Sequence, residues 1–476
     1  MAFLVHRWLG VALALLMAVW TLSGITMMYV AYPETSEQEG LAGLQPLGAA
    51  NCCTLDAVPE GAIERAAIEM WLGRPVLRIV DEDGPSMIPL DGAPLPAIGV
   101  TEAGQVAAAH MRFGHGREAA VEVTTTERDQ WTVSGSFRRH APLYKARVAD
   151  GEGTELYVSG VTGEIVQDTT RRERLWNWVG AVPHWLYFTA LRDNQLLWYN
   201  VVVYASLLGV FLTVTGIYVG VVMYGRGKRK SPFRGAALWH HWTGLIFGVV
   251  TLTWVASGLF SMNPWGWFES AGPGEAIPNL AGRPAEGADA ARLAAAFAAR
   301  PVPGVVRAEL TLQQGRPFAI LLRADGSRTR AALPGLAPAV PGEAELAALA
   351  RTAKPGTPIS DQRMITKGDA YHYGHKGNDP VLPAWRAIYG DDAGTRLYLD
   401  ARTGQLVKFS DAQTRAFRWW HLGLHRLDFP VLRARPLWDL VTLPLLIGVA
   451  LVCLLGLWMG IKRLRRPAGP MRRGRR

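Results

Sequence analysis

Cysteine is nearly missing from this chain of 476 residues: there are three, and two of them, Cys52 and Cys53, are adjacent and poorly placed to bond to each other. With Cys453 inside an apolar run, neither a disulfide framework nor a CxxC metal site can be argued. Paired carboxylates, Ser-His-Asp spacing, a Walker loop, an H-E-x-x-H pair and a Gly-rich fingerprint after a strand are missing as well, so hydrolytic and nucleotide chemistry have no visible machinery. Charge is missing only locally. The blocks Trp8 to Pro33, Leu196 to Tyr224, Trp239 to Phe268 and Leu440 to Ile461 contain no Asp, Glu, Lys or Arg. Each exceeds the roughly 20 residues that a helix needs to cross a bilayer core.

Four transmembrane helices are therefore expected, at 1–33, 196–224, 239–268 and 440–461, separated by long segments at 34–195 and 269–439. The first apolar run is longer than that of a signal peptide and has no small-x-small cleavage site, which predicts a retained helix. Pro444 predicts a kink in the fourth, because neighbouring helices can satisfy the freed carbonyl. Basic residues set the orientation. Arg226, Lys228, Arg229, Lys230 and Arg234 lie in the loop 225–238, and eight more Lys and Arg follow the last span in the tail 462–476. Both termini are then cytoplasmic, and the two long segments lie outside, each long enough to bury a small core. These basic segments more than account for the net charge of +10, so the charge reads as topology and lipid headgroup contact, not nucleic-acid binding.

Laying the third span on the first uncovers a repeat. His6-x-Trp8-x-Gly10 matches His240-x-Trp242-x-Gly244 at one fixed offset, which also aligns Trp20, Ser23 and Gly24 with Trp254, Ser257 and Gly258. Further along, Leu156-Tyr157 with Thr162-Gly163 matches Leu397-Tyr398 with Thr403-Gly404, and His184 and Phe188 match His425 and Phe429. Spans two and four align through Trp198, Gly216 and Gly220 onto Trp438, Gly456 and Gly460. So many rare residues in register predict a tandem duplication. Parallel repeats imply a pseudo-two-fold axis along the membrane normal, across which a residue meets its own mate. Within the long segments, alternation predicts strand, turn, strand over Glu155 to Val166 and Arg396 to Val407, and further strands at Pro75 to Val80 and Phe318 to Leu322. Helices are expected at Ala57 to Trp71 and Ala344 to Ala353, and a loop at Leu333 to Gly342, which makes each segment a small α+β domain.

Ionisable residues in or beside a span are costly and mark function. His6 and His240 head the odd spans at the cytoplasmic edge, while His184 and His425 precede the even spans at the outer edge. Two readings stand. Interfacial histidines anchor helices at headgroup level. Alternatively, two imidazoles opposed across a bundle are what a low-spin haem iron requires, and two such pairs would hold two haems, one near each face. No CxxCH is present, so these would be b-type. His241 adjoins His240 and blurs the inner pair, although the repeat favours His240; His421, whose mate is Gly180, is an alternative ligand, a supporting donor or an anchor. Trp8, Trp242, Trp185 and Trp420 could flank the macrocycles, and interfacial anchoring explains them equally well; Gly10 and Gly244 would admit a flat ring or else serve close helix packing. Tyr371-His372-Tyr373-Gly374-His375 offers a weak metal site through His372 and His375, with His140 loosely corresponding to it.

His6-Arg7-Trp8-Leu9-Gly10, Ser23-Gly24, Tyr373-x-His375, Leu397-Tyr398-x-x-x-x-Thr403-Gly404, Leu424-His425-x-x-Asp428-Phe429 and Arg435-Pro436-Leu437-Trp438-Asp439 together resemble the PepSY-associated transmembrane helix family over nearly the whole chain. The resemblance implies a polytopic α-helical protein of the bacterial inner membrane with two periplasmic α+β PepSY-like domains. Some members are haem-containing ferric-siderophore reductases, which implies His6 with His240 or His241, and His184 with His425, as haem ligands. The expected function is a di-haem b oxidoreductase that passes electrons from a quinol or redox protein outward to a periplasmic ferric-siderophore or other iron complex. Rivals are a PepSY-type membrane binding or regulatory protein without redox activity, and a transporter or accessory factor for metal complexes.

Overall fold

The computed structural model describes the chain apart from residues 49–51, 54, 56–59, 227–229, 375–378 and 466–476. The chain divides into two compact units. The first comprises residues 1–32, 175–269 and 413–476 and holds four helices long and apolar enough to cross a membrane: span 1 (Ala2–Met27), span 2 (Gln195–Met223), span 3 (Ala236–Ser261) and span 4 (Leu437–Leu464). Their apolar residues run all round each helix, as in a membrane span. Span 1 packs on spans 2 and 4, and span 3 packs on the same two. At the centre, Met17, Ala18, Leu212, Val449 and Cys453 form a buried cluster, with Trp20 and Trp254 against it. Span 4 runs as one helix through Pro444, and Cys453 is a buried free thiol.

The second unit comprises residues 33–174 and 270–412. Its first stretch carries β1 (Ala62–Ile63), β2 (Arg65–Trp71), β3 (Arg74–Asp81), β4 (Gly84–Pro89), β5 (Val121–Thr126), β6 (Leu143–Val148), β7 (Glu155–Ser159) and β8 (Ile165–Thr169). Its second carries β9 (Ala285–Glu286), β10 (Val305–Gln313), β11 (Arg316–Arg323), β12 (Arg328–Ala332), β13 (Ala337–Pro338), β14 (Ile359–Ile365), β15 (Ala384–Tyr389), β16 (Arg396–Asp400) and β17 (Leu406–Ser410). Two four-stranded antiparallel meanders, β5 to β8 and β14 to β17, have the same order. The helices Val100–His115 and Glu343–Ala353 pack on them.

The remaining strands overturn the expectation of two separate domains. Seven of them form one sheet in the order β13-β12-β11-β10-β2-β3-β4, so the two stretches meet where β10 pairs antiparallel with β2, and they meet again where β1 pairs with β9 in a separate two-stranded sheet. One apolar cluster, from Ile68, Leu77 and Ile79 to Leu293, Phe297, Val305 and Leu321, draws on both. At the seam Arg307 stands directly opposite Glu69. Glu69, 1% exposed, accepts from Arg78 at 2.8 Å and also from Arg307. Burial pushes this carboxyl up, but the two guanidiniums outweigh it and hold it below the ordinary range. The expected helix at 57–71 is also corrected: residues 57–59 lie outside the described set and Arg65–Trp71 is β2, because strand pairing on both sides overrides the helical preference of Ala, Glu and Met. The structure places the sulfurs of Cys52 and Cys53 in contact with each other, where their adjacency had argued against pairing.

Candidate functional site

Two pairs of histidines meet inside the helical unit. His6 of span 1 faces His240 of span 3 with ring centres 6.3 Å apart and planes inclined by 30°. His184 and His425 face each other at 6.0 Å and 57°. Each of these two is carried on a short helical stretch, Ala181–Trp185 and Leu424–Arg426, that ends in a left-handed leucine: Leu186 at φ 53 and Leu427 at φ 49. Bulky residues adopt that conformation at a cost of order 1 kcal/mol and keep it where the surroundings enforce it. The enforcing contact is the same in both places. Trp198 donates its indole N–H to the carbonyl of Trp185 at 2.9 Å, and Trp438 does so to the carbonyl of Arg426 at 2.9 Å, which tethers each turn to the start of the following span.

All four rings are seated in one way. The Nδ1 of His6 lies 3.1 Å from the carbonyl of Leu212, that of His240 3.1 Å from Val452, that of His184 3.0 Å from Trp20 and that of His425 3.0 Å from Trp254. A carbonyl only accepts, so each Nδ1 carries the proton and each Nε2 keeps its lone pair. Four residues beyond each carbonyl is a glycine on which the ring rests. A Cβ at Gly216 would come within 2.6 Å of His6 Cε1; at Gly456, within 3.3 Å of His240; at Gly24, 3.5 Å from His184; and at Gly258, 3.3 Å from His425. Two imidazoles bound through nitrogen to opposite sides of one metal ion, at about 2 Å each, have ring centres about 6 Å apart, the separation found in both pairs. Fixed tautomer, fixed ring and free Nε2 are the properties of a preorganised ligand.

The other candidates divide clearly. His241 is spent: its Nε2 lies 2.8 Å from the carbonyl of Gly220 and its Nδ1 2.9 Å from Ser231 Oγ, so His240 is the residue that meets His6. His421 lies on a π-helical turn, Arg418–Gly423, donates from Nδ1 to the carbonyl of Ser257 at 2.9 Å and stacks on His425 at 5.3 Å. It therefore lies beside the outer pair. Trp8, Trp185 and Trp420 are exposed, while Trp20 and Trp254 are the indoles packed against the central cluster, with buried N–H groups that have no hydrogen-bond partner among the described residues. A Cβ at Gly244 would meet nothing within 4 Å and one at Gly10 only Leu212 at 3.9 Å, so neither serves close helix packing.

In the second unit His372 is 6% exposed, donates from Nε2 to the carbonyl of Val381 at 2.9 Å and stacks on Tyr398, while His375 lies outside the described residues. His140 sits 3.2 Å from Ser159 Oγ and accepts from Arg139. Among the described residues no group of three or more His, Cys, Asp or Glu is arranged to hold a metal ion.

Residue-level reasoning missed the seats themselves: Gly216, Gly456, Gly24 and Gly258 beneath the rings, the tethers Trp198 and Trp438, and the hydroxyls of Ser23 and Ser257, which lie 3.1 and 3.2 Å from Nδ1 of His184 and His425. Their signal was present, because every one of them stands at one of the positions where the two halves of the sequence match. Curated proteins give no match to the chain. The family described as the PepSY-associated TM region matches residues 3–377, a stretch holding three of the four spans and three of the four seated histidines. A membrane protein with four apolar helices, an α+β unit and this match belongs to the PepSY-associated transmembrane-region family.

Proposed function

We propose that this chain is a di-haem b oxidoreductase of the bacterial inner membrane that arose by tandem duplication and passes electrons outward to siderophore-bound Fe(III) in the periplasm. The observation that carries the reading is the fourfold recurrence of one seat: Nδ1 committed to a backbone carbonyl, the ring laid on a glycine, and Nε2 left as a ligand. Headgroup anchors need no such seat, since an anchoring imidazole gains by reaching water. His6 and His240 would hold one haem near the cytoplasmic face, and His184 and His425 a second near the periplasmic face. Bound there, the two groups would supply one-electron carriers on either side of an apolar layer.

The protein's own part is to orient and to insulate. The carbonyls of Leu212, Val452, Trp20 and Trp254 set the tautomer and raise the basicity of the ligating nitrogens. The apolar cluster around Met17, Leu212 and Val449 keeps water from the space between the pairs. Clusters of Lys and Arg in the loop 225–238 and the tail 462–476 favour cytoplasmic placement of both termini, which puts the second unit in the periplasm where ferric complexes arrive. The electron donor is a membrane quinol or a redox protein.

The test is the absorption spectrum of the purified protein from haem-replete cells, oxidised and then dithionite-reduced, with a pyridine haemochrome assay. A sharp reduced α-band and close to two haems per chain are expected, followed by reduction of ferric-siderophore by the dithionite-reduced protein. A colourless protein would overturn the reading and leave a PepSY-type binding or regulatory protein in its place.

A further inference from the structure

The two pairs differ in what accepts the Nδ1 proton. At the inner pair each Nδ1 has a backbone carbonyl as its acceptor, Leu212 for His6 and Val452 for His240. At the outer pair each Nδ1 has two: His184 lies 3.0 Å from the carbonyl of Trp20 and 3.1 Å from Ser23 Oγ, and His425 lies 3.0 Å from the carbonyl of Trp254 and 3.2 Å from Ser257 Oγ. The hydroxyl protons are used elsewhere. Ser23 Oγ donates toward the carbonyl of Val19 at 2.6 Å, and Ser257 Oγ toward that of Trp254 at 3.1 Å, so both oxygens turn a lone pair to the imidazole. Ser23 is 2% exposed and Ser257 fully buried, which keeps water from competing for the same proton.

Resting on the di-haem reading, we propose that Ser23 and Ser257 are positioning residues that tune the outer haem through its ligands. Sharing the Nδ1 proton between two oxygens gives His184 and His425 more imidazolate character at Nε2 than the inner ligands have. A more basic nitrogen stabilises ferric over ferrous iron, so this contact lowers the potential of the outer site and makes the two haems electronically distinct. The Ser-Gly dipeptide that recurs in spans 1 and 3 then has a divided role: the glycine seats the ring and the serine sets its donor strength.

The experiment is a redox titration of the purified holoprotein, followed optically and by low-temperature electron paramagnetic resonance, for wild type, Ser23→Ala, Ser257→Ala and the double variant. Two haems per chain are expected in each, with one component moving to higher potential in the single variants, further in the double, and the other component unmoved. Where alanine costs the outer haem itself, Ser23→Cys and Ser257→Cys fill nearly the same space with a weaker acceptor and carry the comparison, with a shift of the same sign. Two haems whose potentials stay unchanged, or shift together, would overturn the proposal and leave the di-haem reading intact. A wild-type protein without haem would instead overturn that reading.

Discussion

Gly216 is the most demanding of the four seats, since a methyl group there would press to 2.6 Å on His6 Cε1, against 3.3 Å for the corresponding contact of Gly456 with His240. On the di-haem reading, Gly216→Ala should therefore displace His6 and cost the proposed inner haem, while Gly456→Ala should weaken it less; haem counted per chain checks both. The histidines proposed as ligands separate by pair. Replacing His184 or His425 singly by alanine should remove the outer spectral component and spare the inner one, whereas loss of both together would mark general misfolding. Neighbouring histidines have opposite expectations: His240→Ala should abolish the inner component and His241→Ala should leave it, because both nitrogens of His241 are engaged by Gly220 and Ser231. Difference spectra of the two variants decide the point.

Among the elements, the join between β2 and β10 carries a buried charge with two partners. Glu69→Ala would leave Arg78 and Arg307 facing each other in a largely buried site, and removing one partner of such a group costs about 3 to 5 kcal/mol. Thermal unfolding of the variant should show this loss. The spans were legible in the sequence because a membrane helix announces itself by the charges it lacks, and the hairpins at Glu155–Thr169 and Arg396–Ser410 because alternation and a Thr-Gly turn are local signals. The seven-stranded sheet was not, since nothing local in Arg65–Trp71 says that its partner is Val305–Gln313. The site divides along the same line. Histidines are visible in a sequence, but the carbonyls of Leu212, Val452, Trp20 and Trp254 that hold them belong to the backbone and have no letter of their own.

For the molecule as a whole, acid is the informative variable. His110, 5% exposed, is pulled down to about 4 chiefly by burial, with His115 adding to the effect. It is neutral in the fold, so between about pH 6.5 and 4 the unfolded chain takes up a proton that the folded chain refuses, and stability falls by about 3 kcal/mol as pH is lowered. Glu69, held low by its two arginines, contributes stability above its unfolded value near 4.5 that is lost on further acidification. Unfolding temperatures of the intact protein at pH 7 and pH 5 should differ accordingly, and His110→Ala should flatten that interval. The shared sheet has a further consequence, for biosynthesis. Glu69 and Arg307 are separated by 238 positions, and ribosomes add roughly 5 to 20 residues per second, so β2 waits on the order of 10 to 50 s for its neighbour to be made. Throughout that interval the nascent chain carries an unpaired strand edge beside a half-built core, which makes it a client for a holding chaperone and makes any product truncated after span 2 prone to aggregate.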